Sequence, residues 1–188
     1  MLSCPANAEQ LKGLVRDRKN MLNNYEAFIT GILQKITTLG IDVSQMEMDH
    51  VGYQAASEEN YDTLKSEFTM LGEQVSEEIV GGRRVGIYAL EHPITVLHYM
   101  PTAIELIAPK VGQVCPSALE HVEFVLPESF EAFMKRYPNL PWDTTAIAQP
   151  DFPMIKLKLT ATTQVKFHHQ PVLEIVKEIK KRTTSTPE

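Results

Sequence analysis

Two short segments of this chain repeat one pattern. Met48-Asp49-His50-Val51-Gly52-Tyr53 and Leu119-Glu120-His121-Val122-Glu123-Phe124 both read apolar, acidic, His, Val, any residue, aromatic. The two histidines stand 71 positions apart, and each copy is followed by a stretch with helical periodicity. A repeat at this interval predicts two similar structural units, because duplicated sequence builds duplicated supersecondary structure. Pseudo-symmetry between the units can then bring the two imidazoles together.

At 188 residues the chain is long enough to bury a sizeable interior, as one domain or as two small units sharing a core. Its hydrophobic fraction of 43% and charged fraction of 22% are near globular averages, which excludes a fibre or a disordered chain. A net charge of −6 argues against nucleic acid or an anionic membrane as the main partner, since both demand clustered Lys and Arg. The basic cluster Lys177, Lys180, Lys181 and Arg182 suits the negative end of a terminal helix better. Cys4 and Cys115 are the only cysteines and form no CxxC, so neither a disulfide framework nor a thiolate zinc site is expected. No basic segment leads into an apolar one as in a secretory signal, and no apolar run approaches the roughly 18 residues of a spanning helix. The expectation is a soluble cytoplasmic protein.

An apolar stripe at helical spacing runs from about Ala8 to Leu39, through Leu11, Leu14, Val15 and Met21 and on to Ile29, Ile32, Leu33 and Ile36. Gly40 is placed to stop it, and Asn23-Asn24 and Gly31 allow two helices in place of one. The stripe carries no chemistry. It reads as packing against a sheet or as a subunit interface, the latter making a homodimer. The first unit then runs Met48–Gln54 as a strand, a helix opened by Ser57-Glu58-Glu59, and strands at 74–80, 83–90 and 94–107, the last open to a break near Pro101. The second runs 119–126 as a strand, 127–137 as a helix, short strands at 144–148, 154–159 and 164–168, and a closing helix from Pro171. The divisions are 1–44 as an N-terminal helical segment, 45–182 as one compact domain with units at about 45–112 and 117–180, and 183–188 as a flexible tail.

Two β-α-β-β-β units joined by a short connection resemble the vicinal oxygen chelate (glyoxalase/bleomycin-resistance/dioxygenase) superfamily. The stretches Met48-Asp49-His50-Val51, Gly82-Arg83-Arg84-Val85, Ile104-Glu105-Leu106, Leu119 to Pro127 and Val165-Lys166-Phe167-His168 resemble, within it, the bacterial YecM-like family. The resemblance covers about residues 20–178. It implies an α+β fold in which two pseudo-symmetric βαβββ units form a curved, barrel-like mixed sheet, preceded by the helical segment. It also implies that first and fourth strands supply ligands to a divalent metal. It supplies no reaction, because the superfamily spans isomerases, dioxygenases, lyases and metal-free binding proteins.

A lone histidine on a strand is most often a hydrogen-bonded core or edge residue, but two at equivalent positions favour a site. By strand alternation His50 shares a face with Met48, Gly52 and Gln54, and His121 with Leu119, Glu123 and Val125. Glu105, flanked by Ile104 and Leu106, is costly to bury unless a positive group meets it. Arg83, Arg84 or Lys110 could do so, or Glu105 could be a metal ligand, as the resemblance implies. His50, His121 and Glu105 then make a two-His-one-carboxylate set suited to Fe, Mn, Ni or Zn over calcium. Setting Thr102-Ala103-Ile104-Glu105 against Thr163-Gln164-Val165-Lys166 puts Lys166 where a fourth ligand is expected. His168, two residues on, is the candidate replacement, while Lys166 could bind an anionic substrate or pair with Glu123. Glu123 is a candidate general base or an orienting partner for an imidazole. The expected function is a metal-dependent isomerase, lyase or dioxygenase acting on a small substrate with adjacent oxygens, and the alternative is a metal-free small-molecule binding protein using the same cleft.

Overall fold

A computed structural model describes Leu22 and residues 24–184. The stripe positions Leu11, Leu14, Val15 and Met21, together with Cys4 and residues 185–188, lie outside the described residues.

Helix α1, Tyr25–Thr38, begins just after Asn24, which adopts a left-handed φ of 62°. It buries Ile29, Ile32, Leu33 and Ile36 along one side, and Gly40 turns the chain away with a φ of 78°. Strand β1 is Glu47–Gln54, and α2 is Glu58–Phe68. Ser57 caps α2 by accepting from the Asn60 N–H at 3.1 Å. Strands β2, Gly72–Val80, and β3, Arg83–Leu90, are joined by Gly81-Gly82, whose φ values of 59° and 80° suit a tight hairpin. Strand β4 is Ala103–Ile107 and β5 is Ala118–Val125. Helix α3, Phe130–Arg136, is capped by Ser129. Strands β6, Met154–Lys158, and β7, Gln164–His168, precede α4, Val172–Thr184. Thr183 and Thr184 therefore end a helix and do not open the tail.

The seven strands form one curved sheet in the order β2-β3-β4-β1-β5-β7-β6. β1 pairs in parallel with β4, β5 pairs in parallel with β7, and β1 and β5 run antiparallel between them. The duplication expected from the repeat is thus present, with β1 and β5 as the seam.

Two expected strands are missing. In the stretch 94–107 only β4 is a strand. Its first half is a tight loop in which Val96 bridges Tyr99 and Leu97 takes a φ of 56°. The stretch 144–148 is also turn. The Asp143 carboxylate accepts from the Thr145 N–H at 2.9 Å, and this local bond competes with a strand ladder. Pro141 and Pro150 flank the segment, so only Asp143 bridges to Lys156, and the second unit has one strand fewer than the first.

One sheet face carries the main core. Val51, Tyr53, Ile104, Leu106, Val122, Phe124, Val165 and Phe167 pack there with the inward residues of α1, α2 and α3. On the other face, Val172 and Val176 of α4 pack on Val85, Ile87, Ala103 and Ile107. That second face also carries the repeated histidines. Among the described residues no helix is long and apolar enough to cross a membrane.

Helix α2 is tied to the β2–β3 hairpin through charge. Glu77 accepts from Lys65 of α2, from Gln74 at 2.7 Å and from Arg84 at 3.1 and 3.2 Å. The Lys65 bond, opposed by a smaller effect of burial, holds the Glu77 carboxyl down at about 2. A folded-state value below the unfolded one contributes stability at high pH and loses it as the group protonates. Glu77→Gln is expected to lower the unfolding free energy by about 1 kcal/mol at pH 7. In urea denaturation that deficit should shrink as pH falls from about 4.5 and vanish near pH 2.

Candidate metal centre

The site begins with two irregularities in the β1–β5 ladder. Met48 faces Phe124 and the next pair is His50 with Glu123, so the ladder steps over Asp49. Gly52 faces His121 and the next pair is Tyr53 with Leu119, so it steps over Glu120. Each is a β-bulge, in which an extra residue re-aims the side chains beside it. Each extra residue is the acidic member of the repeat. Plain alternation sets Met48 beside His50 and Leu119 beside His121. The bulges instead turn Met48 and Leu119 into the main core and leave Asp49 and Glu120 next to the imidazoles.

His50 Nδ1 lies 3.0 Å from Asp49 Oδ2, and His121 Nδ1 lies 2.5 Å from Glu120 Oε2. An ionised carboxylate only accepts, so each Nδ1 bears the hydrogen and each Nε2 is turned the other way. His121 Nε2 is 2.9 Å from Glu105 Oε2 and 3.1 Å from Glu123 Oε1. His50 Nε2 is 3.4 Å from the same Glu123 oxygen, without hydrogen-bond geometry. The two rings are 6.0 Å apart and nearly perpendicular. His50, Glu105, His121 and Glu123 thus bring one ligand atom each to within 4.8 Å of one another.

Gly52 makes room for this. The His121 ring lies against it so closely that a Cβ there would be 1.9 Å from Cε1 and 2.3 Å from Nε2. The equivalent position in the second unit, opposite His50, is Glu123. Lys166 faces Glu123 across β5–β7 just as Glu105 faces Gly52 across β1–β4, as the sequence comparison of the two units implied. Its Nζ donates to Glu123 Oε1 at 2.6 Å and to Glu105 Oε2 at 3.4 Å, and lies 2.9 Å from His121 Nε2. Glu105 meets His121 and Lys166 and none of the three arginines and lysines first considered for it. Arg83 reaches Gln54, and Arg84 reaches Glu58, Asp62 and Glu77.

His168 lies on the other side of His50, the two rings 5.8 Å apart. Its Nε2 is 2.9 Å from Asp49 Oδ1, its ring stacks on Phe152, and it groups with Asp49 and His50 rather than with Glu105 and His121. Asp49 also accepts from the Val172 N–H at 2.7 Å, which fixes the first turn of α4. Asp49 and Glu120 are the imidazole partners that alternation concealed. Their signal was present in the acidic place of both repeats.

The cluster is buried, with His121 and Glu123 both at 0% exposure. Burial pushes the carboxyls up, but nearby cations outweigh it. Lys166 and then His121 bring Glu105 down to about 2, and the His121 hydrogen bond brings Glu120 to about 2. Lys166 and His50 hold Glu123 well below the usual carboxylate range. Burial and Lys166 pull His121 down, but its bonds to Glu105, Glu120 and Glu123 prevail and raise it to about 9. Asp49 and Glu123 likewise raise His50 against its burial. The result is a set of ionised carboxylates around two imidazoles and one ammonium. Beside Glu120 a cavity of about 120 Å³ is lined by Gln54, Cys115 and Leu119 among others. Burial pushes the Cys115 thiol up, so the thiolate that nucleophilic chemistry needs is disfavoured.

The family model described as YecM protein matches residues 17–178. The chain belongs to the YecM family. It is 23% identical over 176 residues to Protein YecM of Escherichia coli strain K12, covering 86% of this chain and 94% of that one. Among solved structures, a structural-genomics chain named Protein EC4020 is similar with a TM-score of 0.68 and 22% identity, over 95% of this chain and 99% of that one. The hydroxyglutarate synthase of Oryza sativa, solved in complex with 2-oxoadipate, has a TM-score of 0.54 at 11% identity, over 100% of this chain and 91% of that one. These likenesses establish the fold. The YecM family chain shares its overall fold with both structures.

Gly52→Ala tests the closest contact of the cluster. The added methyl is expected to displace the His121 ring and lower stability by roughly 1–3 kcal/mol, as overpacking does. The imidazole resonances of His121 should move with it, and unchanged spectra and stability would show that the ring does not pack on this glycine.

Proposed function

We propose that His50, Glu105 and His121 hold one divalent metal ion and that the chain is a metal-dependent enzyme for a small substrate with adjacent oxygens, such as a 2-oxo or 2-hydroxy acid. The observation that supports this most is the pair of inward Nε2 atoms, each set by a carboxylate on Nδ1, that gather with a carboxylate oxygen of Glu105 and one of Glu123 to within 4.8 Å of one another. Carboxylate–histidine pairs of this kind orient metal ligands. The donor set also fits. His50 Nε2 and Glu123 Oε2 are buried without a hydrogen-bond partner among the described residues. A metal ligand role satisfies the first, and leaves the second free for a proton. Two imidazoles and a carboxylate suit Fe, Mn, Ni or Zn and leave coordination positions open.

A bound ion would supply Lewis-acid polarisation of the substrate's oxygens. The chain's own residues do the remainder. Asp49 and Glu120 hold the two rings in place. Glu123, ionised and beside the ligand set, accepts a proton from the substrate carbon next to the carbonyl. The 2-oxoadipate bound by the structurally similar rice enzyme is itself a 2-oxo acid, which supports the substrate class. A metal-free binding protein is the second reading, favoured by Lys166, which already supplies a cation to Glu105 and Glu123.

Metal content of untagged protein decides between them. The expected result is one equivalent of metal in the wild type and affinity reduced roughly 100-fold or more in His50→Ala and His121→Ala. Wild-type protein that shows neither bound metal nor a thermal shift with Fe(II), Mn(II), Ni(II) or Zn(II) overturns the metal reading. Glu105→Gln with unchanged affinity would remove the carboxylate from the set and make His168 the next ligand to test.

Protons must compete with the ion. A histidine ligates only when Nε2 is deprotonated, and His121 is raised to about 9 in the free protein. Affinity is therefore expected to rise with pH, by about tenfold or more per unit below pH 9, since each released proton adds one unit of slope. Calorimetric titration at pH 7, 8 and 9 measures it, and a flat profile would show that no raised histidine is a ligand.

A further inference from the structure

Lys166 occupies on β7 the position that Glu105 occupies on β4. Its Nζ lies 2.6 Å from Glu123 Oε1, 2.9 Å from His121 Nε2 and 3.4 Å from Glu105 Oε2. Those partner atoms are themselves only 2.9 Å and 3.1 Å apart, measured from His121 Nε2. An ion held by Glu105 and His121 would sit about 2.0–2.2 Å from each ligand atom. The ammonium and the ion would therefore fall in one small, buried volume. Two cations at such separation repel strongly where water cannot screen them.

We propose that Lys166 is a built-in competitor for the metal position, its ammonium neutralising Glu105 and Glu123 until an incoming ion makes it swing out. The inference rests on the metal-holding reading of the same pocket. A lysine suits this role because its four-carbon stem is flexible and its charge is a compact point, unlike the fixed fork of arginine. The competitor keeps the ligand shell assembled without metal, since the carboxylates never face one another uncompensated. It also sets a threshold. Every ion must outbid the same ammonium, so weakly held ions such as Mn(II) are penalised below useful occupancy before strongly held ones such as Zn(II).

The test is titration of Mn(II) and Zn(II) into untagged full-length wild type, Lys166→Met and Lys166→Gln, with melting temperatures recorded in EDTA and in excess metal. Both variants are expected to bind Mn(II) at least tenfold tighter than the wild type, to melt lower in EDTA, and to recover on adding metal. Equal affinities in all three proteins would overturn the competitor and leave the metal reading standing. Metal binding in the variants alone would support the competitor and sink the metal-dependent reading of the wild type. No binding in any of them sinks both. If the variants do not fold in EDTA, refolding in Mn(II) takes the place of the melt. Recovery there supports the proposal, and failure to recover shows a purely structural lysine and overturns it.

Discussion

Everything at the site follows from how β1 and β5 run antiparallel down the middle of the sheet with one extra residue in each. Without the bulges, period-two alternation would turn Asp49 and Glu120 towards Val51, Val122 and the main core. A carboxylate there would be buried without a partner, which costs several kcal/mol. With the bulges, Met48 and Leu119 take those core places and the carboxylates come to the histidine face. The same seam sets the spacing of the rings. His50 pairs with Glu123 and His121 pairs with Gly52, so the imidazoles approach diagonally and their centroids stand 6.0 Å apart. One pairing thus fixes the tautomers, the distance between the rings and the direction in which both Nε2 atoms point.

The two halves share an architecture and differ at the positions where charge matters. Opposite one histidine stands Gly52, opposite the other Glu123. Beyond the first stands Glu105, beyond the second Lys166. Gly52 is required because the His121 ring rests where its Cβ would be. That ring fills the space on one side of the pseudo-axis, and a carboxylate fills it on the other. A symmetric site with two carboxylates at the Glu105 and Lys166 positions, added to Glu123, would crowd anions into a volume closed to water. Lys166 relieves that crowding, and its contacts with three of the neighbouring groups show how directly.

Much of this was legible in the sequence, and the reasons for the remainder are physical. α1 and α2 follow apolar periodicity that matches their burial, β1, β2, β3 and β5 form close to the stretches expected for them, and the Ser57 and Gly81-Gly82 signals act where they stand. The histidine pair was legible because duplication marks equivalent positions, and Glu105 because a lone carboxylate in an apolar strand stands where the resemblance implies a ligand. The stretches at 94–100 and 144–148 were misread because apolar composition alone does not supply a neighbour to pair with. Tyr99 turns back on Val96, and Asp143 ties up the backbone ahead of β6. The bulges were illegible for a related reason. Register is a property of two strands together, so neither Asp49 nor Glu120 reveals from its own strand that the ladder skips it.

The lopsidedness also decides which way the pocket faces. On the His50 side, Asp49 accepts from His50, from His168 and from the first N–H of α4, while Val172 and Val176 lie over Val85, Ile87, Ala103 and Ile107. Phe152 stacks on His168 beside them. Opening that wall would break a buried carboxylate's hydrogen bonds and expose apolar surface at once, so it is the costly direction. The His121 side is looser. The Glu105 and Glu120 side chains are 16% and 24% exposed, against 1% for His50 and Asp49. The cavity lined by Gln54, Cys115, Leu119 and Glu120 lies on that side too. On the metal-holding reading proposed above, a small molecule would approach past Glu120 and meet His121 and Glu105 first. His50 is the fixed back wall, held by the residue that also starts the covering helix.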